Sequence, residues 1–99
     1  MVDFFELSRM YLYNHNERNF KEHFGLSSNM ARIVWETLNE RFELANGTRP
    51  KHLLWWLHWA KTYQTVGVCA NFCKCSNNTW KEWVEYIEEC LVDLAVVRT

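Results

Sequence analysis

One pattern recurs in this chain at a separation of 49 residues. Phe20, Phe24, Leu26, Ser27, Val34, Trp35 and Leu38 line up with Cys69, Cys73, Cys75, Ser76, Trp83, Val84 and Ile87. Each copy reads as a short helix, a tight turn and a longer amphipathic helix. Two such copies predict an all-α fold of about six helices, forming two helix-turn-helix-like units around a shared aromatic core. The expected units are residues 1–44 and 45–99, together one compact domain. The chain is rich enough in apolar side chains for this, 48% hydrophobic with six Trp, and its three Gly and one Pro leave few breaks for a many-turned sheet.

The helix boundaries follow from caps and periodicity. Asp3 caps a first helix expected over 3–13, with Phe4, Leu7 and Tyr11 at helical spacing. A break falls at 14–16, then a short helix at 17–24. Gly25 ends it, because glycine accepts the left-handed conformation of a tight turn. Ser27 or Ser28 caps a third helix reaching about Glu43, with Ala31, Val34, Trp35, Leu38 and Phe42 facing inward and Arg32, Glu36, Asn39 and Glu40 outward. The segment 45–48 is a loop, and Pro50 marks the first position of a fourth helix. That helix, Lys51 to Lys61, is apolar nearly all round, so it should be buried between others. After a break at 63–65, a fifth helix covers 66–74. Ser76 or Asn77 then caps a sixth helix to about Val96, with Trp80, Trp83, Val84, Ile87, Leu91 and Leu94 as its stripe.

Charge is unevenly spread. The net charge is only −1, yet residues 44–81 contain no Asp or Glu while carrying Arg49, Lys51, Lys61, Lys74 and Lys81. A basic middle between acidic flanks can present one positive face to phosphates. The plain alternative is chance, since five charges over 38 residues is thin. In a helix-turn-helix the first residues of the second helix reach base edges. In the second unit these are Asn77, Asn78, Thr79 and Lys81. Asn can pair with adenine and Lys can reach guanine. Lys74 in the turn, with Arg49 and Lys51 at the mouth of the fourth helix, suits phosphate contacts. The first-unit equivalents are Ser28, Asn29 and Arg32. Against this, Asn and Ser also gather at helix starts because they cap them. Glu82 and Glu85 would repel phosphate, so only the first turn of the sixth helix can approach DNA, end-on.

Other chemistry is weaker. Cys69, Cys73 and Cys75 replace Phe20, Phe24 and Leu26 of the first copy, which reads as core thiols. Their spacing, with Cys90 farther on, is not a pair of C-x-x-C zinc knuckles. His52 and His58 are six positions apart, not the i, i+4 of two ligands on one helix face. No metal and no cofactor is expected. No constellation of base, nucleophile and stabiliser is legible, so the chain is not read as an enzyme. No apolar run reaches the ~18 residues of a membrane span. Asp3 and Glu6 interrupt any signal-peptide pattern, which suggests reduced thiols and an intracellular location, nuclear if the source is eukaryotic.

The segment 50–99 resembles the region just upstream of the catalytic core in IS5/Harbinger-like DDE transposases. The residues that carry the resemblance are Lys51-His52-Leu53-Leu54-Trp55, Lys61-Thr62-Tyr63, Phe72 to Lys81, Trp83, Ile87 and the tail Leu94 to Arg98. The first half fits more weakly, through Phe24 to Ser27, Val34, Trp35 and Leu38. The resemblance implies a helical module that recognises DNA, followed by an RNase-H-like catalytic domain. This chain ends at Thr99, where that domain would begin, so no DDE carboxylate is carried over. The leading expectation is a non-catalytic module that binds double-stranded DNA. The alternative is a helical protein-interaction or homodimerisation module. It would act through the Trp-rich fourth helix, where three Trp in five residues should leave at least one at the surface.

Overall fold

A computed structural model describes residues 2–13 and 15–98, with the side chains of 96–98 left out. The described chain is all helical: α1 Phe4–Ser8, α2 Glu17–Phe24, α3 Ser28–Arg41, α4 Pro50–Thr62, α5 Val66–Phe72 and α6 Asn77–Arg98. No described helix is long and apolar enough to cross a membrane. At the centre lies α4, which touches all five other helices. A helix with Leu53, Leu54, Trp55 and Leu57 all buried, on more than one face, has little of its surface to offer to water. The rest of the chain must therefore surround it. The buried side chains form two clusters. One is built of Phe and Leu from α1 to α4 with Ile87, Cys90 and Leu94 of α6. The other joins Trp55, Cys69, Ala70, Cys73, Trp80 and Val84.

Several local features recur 49 residues apart. Asn16 and Thr65 each cap a short helix, accepting from Asn19 N–H at 2.8 Å and from Val68 N–H at 3.4 Å. Ser27 and Ser76 cap the longer helices through their hydroxyls, each at 3.2 Å, from Met30 N–H and Thr79 N–H. Between them the chain turns left-handed at matching positions, Gly25 at φ +79 and Lys74 at φ +58. Burial matches too. Phe20 and Cys69 are both 0% exposed, and so are Leu38 and Ile87. Ala31 stands where Trp80 does, and both are buried. The correspondence also reaches a pair that sequence reading did not use, Phe4 of α1 and Leu53 of α4, both buried.

Three helices end short of expectation. The first helix was expected to run to Tyr13 but stops at Ser8. There Arg9 N–H turns to Glu6 O at 3.1 Å and Tyr11 N–H to Ser8 O at 2.9 Å, the tighter bonds of a 3₁₀-like close. This frees Tyr11 to accept a hydrogen bond from Trp55 Nε1 at 2.9 Å. The third helix ends at Arg41, short of Glu43, because Phe42 is extended at φ −129 and packs on the first cluster. The fifth ends at Phe72, ahead of Lys74. There Lys74 N–H donates to Asn71 O at 3.1 Å and Cys75 N–H to Ala70 O at 3.0 Å, the paired bonds of a Schellman close. Of the break expected at 14–16, Asn14 lies outside the described residues.

The matched left-handed positions predict opposite responses to substitution. Gly25→Ala forces a side chain into that conformation and should cost about 1 kcal/mol, since its Cβ would meet Lys61 only at an ordinary 3.7 Å. Lys74→Gly relieves a similar strain while adding unfolded-state entropy of about the same size. Urea unfolding should show Gly25→Ala clearly destabilised and Lys74→Gly unchanged or slightly more stable.

Candidate functional site

The entry to α4 is pinned by a reciprocal pair of bonds. Arg49 N–H donates to His52 Nδ1 at 3.0 Å, and His52 N–H donates to Arg49 O at 3.0 Å. The first bond requires a lone pair on Nδ1, so the ring is neutral with its proton on Nε2. His52 is 3% exposed, lies flat on Trp83 with centroids 4.0 Å apart, and meets Trp55 edge-on at 4.8 Å. Burial, aided by the charges of Lys51 and Arg49, pushes its pKa down to about 4. The loop before α4 is tied to α6, where Ala45 N–H donates to the Tyr86 hydroxyl at 2.7 Å. Gly47, at φ +91, lies so close to Trp83 that a Cβ there would touch its ring at 3.5 Å.

This anchoring brings the mouth of α4 against the α5–α6 turn. Arg49, Lys51, Lys74 and Thr79 line one groove of about 420 Å³, with Tyr11, Gly47, His52, Trp55, Cys73, Cys75 and Trp83 also along its wall. No carboxylate lines it. Lys51 Nζ lies 5.7 Å from the centroid of the Trp55 ring. Among the described residues, Arg49, Lys51, Lys74 and Lys81 make no ion pair. Arg9, Arg18 and Arg32 instead lean on Glu6, Glu22 and Glu36. Four of the ten residues singled out in the sequence thus meet in one groove, although they come from separate parts of the chain.

The remaining six divide by unit. Asn77, Asn78 and Lys81 are exposed on the first turn of α6 and do not line the groove. Ser76 does the capping, so the side chains of Asn77 and Asn78 are not consumed by it. In the first unit all three residues are engaged. Ser28 donates to the Glu17 carboxylate from both its N–H, at 2.6 Å, and its hydroxyl, at 2.9 Å. Arg32 donates to Asn29 Oδ1 at 2.7 Å and to Glu36 at 3.0 Å. These three border a different pocket, which Asp3 also lines. The second copy has Val66 where the first has Glu17, so no carboxylate closes the start of α6 in this way.

Tyr11, His52, Gly47 and Trp83 were not anticipated as groove residues. His52 carried a readable signal, since it stands three positions after the N-cap, where a side chain can reach back to the N-cap N–H. Tyr11 carried none, because a helix continuing to Tyr13 would have aimed it differently. The thiols are buried or half-buried, and burial raises the pKa of Cys69, Cys73, Cys75 and Cys90. No group of three or more potential metal ligands converges among the described residues. His58 is 3% exposed, stacks on Phe72 at 4.0 Å and leaves Nδ1 without a partner. Burial, with His23 nearby, pushes its pKa down to about 4 as well. On α4, Trp55 is buried and Trp56 and Trp59 are half-buried, so none of its three indoles is exposed.

Comparison with family models, with curated proteins and with solved structures returned no match.

Two buried neutral histidines set a direction for stability against pH. Each has a folded pKa of about 4 against 6.5 when free, so between those values the unfolded chain binds more protons. Their neutral burial costs nothing above about pH 6.5, and stability then falls progressively as the pH drops toward 4. Urea midpoints measured across this window should decline, and His58→Phe, which keeps the stack on Phe72 and removes one titrating ring, should flatten the decline.

Proposed function

We propose that this chain is a non-catalytic module that binds double-stranded DNA through its second unit, α5, the turn and α6. In this reading α2–α3 and α5–α6 are two helix-turn-helix-like units packed about the aromatic side chains of α4. The observation that carries it is the groove: three unpaired cations, Arg49, Lys51 and Lys74, joined by Thr79 along an acid-free wall. Cations placed this way suit phosphate contacts that fix register, while exposed Asn77, Asn78 and Lys81 on the adjoining turn supply base-edge donors and acceptors. Exposed Glu82 and Glu85 follow directly, so α6 enters the groove of the duplex by its first turn. The first unit is assigned a structural role, because Glu17 and Glu36 already occupy Ser28 and Arg32.

The resemblance to a transposase N-terminal region fits this proposal and rests on the residues quoted for it. If the source is eukaryotic, such a module would act in the nucleus. The alternative, a homodimer or partner helix docking on α4, would have to use the half-buried Trp56 and Trp59.

The test is a fluorescence-anisotropy titration with labelled duplex DNA across a range of salt. Affinity should fall steeply with salt, and Lys74→Gly or Lys51→Met should each reduce the slope of log K against log salt by about one. Asn77→Ala/Asn78→Ala should change sequence preference. Ser28→Ala and Asn29→Ala should leave binding unchanged. Absence of binding at low salt, or a loss confined to the first-unit variants, would refute the proposal.

A further inference from the structure

The groove that suits backbone phosphates also has a lining suited to a more highly charged group. It is an open groove of about 420 Å³. Arg49, Lys51 and Lys74 in its lining can only donate. The Tyr11 oxygen accepts from Trp55 Nε1 at 2.9 Å, and the Thr79 oxygen accepts from the Ser76 hydroxyl at 2.9 Å. Each hydroxyl therefore keeps its own proton for another acceptor, and among the described residues neither donates to one. With Arg49, Lys51 and Lys74 this makes three cations and two O–H donors around one space, with no carboxylate. The aromatic wall offers little to a base. One face of Trp83 is covered by His52 at 4.0 Å, and Trp55 is 3% exposed. The groove is built to hold charge.

We infer that it receives a phosphate monoester, the terminal phosphate of a nucleic-acid strand. A backbone diester carries one negative charge, whereas a monoester carries about −1.5 to −2 near neutral pH and offers three terminal oxygens. A strand terminus brings that extra charge and those oxygens to the groove, beyond what the backbone phosphates alongside it offer. Lys51 and Lys74 balance the charge, and Arg49 can take two oxygens at once. Tyr11 and Thr79 add neutral donors. This inference rests on the proposed DNA-binding function and narrows it to strand ends.

The full chain is titrated with two labelled duplexes of one sequence, one bearing 5′-phosphates and the other 5′-hydroxyls. The phosphorylated duplex should bind roughly tenfold tighter. That preference should collapse in Lys51→Met and in Lys74→Gly, the latter keeping the left-handed turn. A nucleoside 5′-monophosphate should compete for the phosphorylated duplex, and the matching nucleoside should not. Equal affinity for the two duplexes, with the salt dependence intact, would overturn the terminal-phosphate site and leave DNA binding standing. Failure of both duplexes to bind at low salt would remove both. A phosphate preference that survives both lysine variants, or competition by the nucleoside alone, would also overturn the assignment. The comparison of duplexes on the unaltered chain needs no variant to fold.

Discussion

Everything in this fold is arranged around a helix that is buried over most of its surface. Residues 50–62 place Leu53, Leu54, Trp55, Leu57 and two histidines out of solvent, and every other helix touches this one. At ~25 cal/mol per Å² of apolar surface, so many large side chains cannot be left uncovered. Five surrounding helices of modest length solve the problem together. The helix also acts as a ruler. Its first residues meet the α5–α6 turn across the basic groove, while Lys61 in its last turn lies beside Gly25 of the α2–α3 turn.

Positions 49 residues apart share helix caps and a left-handed turn and differ in chemistry. Caps at Asn16 and Thr65, and at Ser27 and Ser76, set the same helix starts, and Gly25 and Lys74 make the same left-handed bend. Side-chain volumes are redistributed between the copies. Phe20 and Phe24 become Cys69 and Cys73, while Ala31 becomes Trp80, and each of these is buried. Small for large in one helix is met by large for small in the next, as close packing requires. Polar substitutions separate the copies further. Glu17 holds Ser28 in the first, whereas Val66 leaves the start of α6 open in the second, and a glycine turn becomes a lysine turn that carries charge to the groove.

Burial also explains why the side chains with the richest chemistry are quiet. The thiols lie against apolar neighbours and are pushed up, and the two buried histidines are pushed down and held by ring stacking on Trp83 and Phe72. Both shifts disfavour the charged form, which is the physical signature of a core position. The exposed charges left unpaired at the groove are the ones that remain available to a ligand.

Local information in the sequence was enough for the six helices, for the turn at Gly25, for Pro50 opening α4 and for the burial of α4. Each of these depends on neighbours within one or two helical turns. It was also enough to single out Arg49, Lys51, Lys74 and Thr79, because an acid-free stretch and helix-start positions are readable in one dimension. Which of the ten singled-out residues share a surface was decided only in three dimensions. The closing of α1 at Ser8 turns Tyr11 toward Trp55, across 44 positions of chain. The Glu17–Ser28 pair, which separates an occupied unit from an open one, and the Tyr86 anchor on the loop before α4 are likewise long-range. Periodicity and caps act over a few residues, whereas the groove exists only because packing around α4 brings distant segments together.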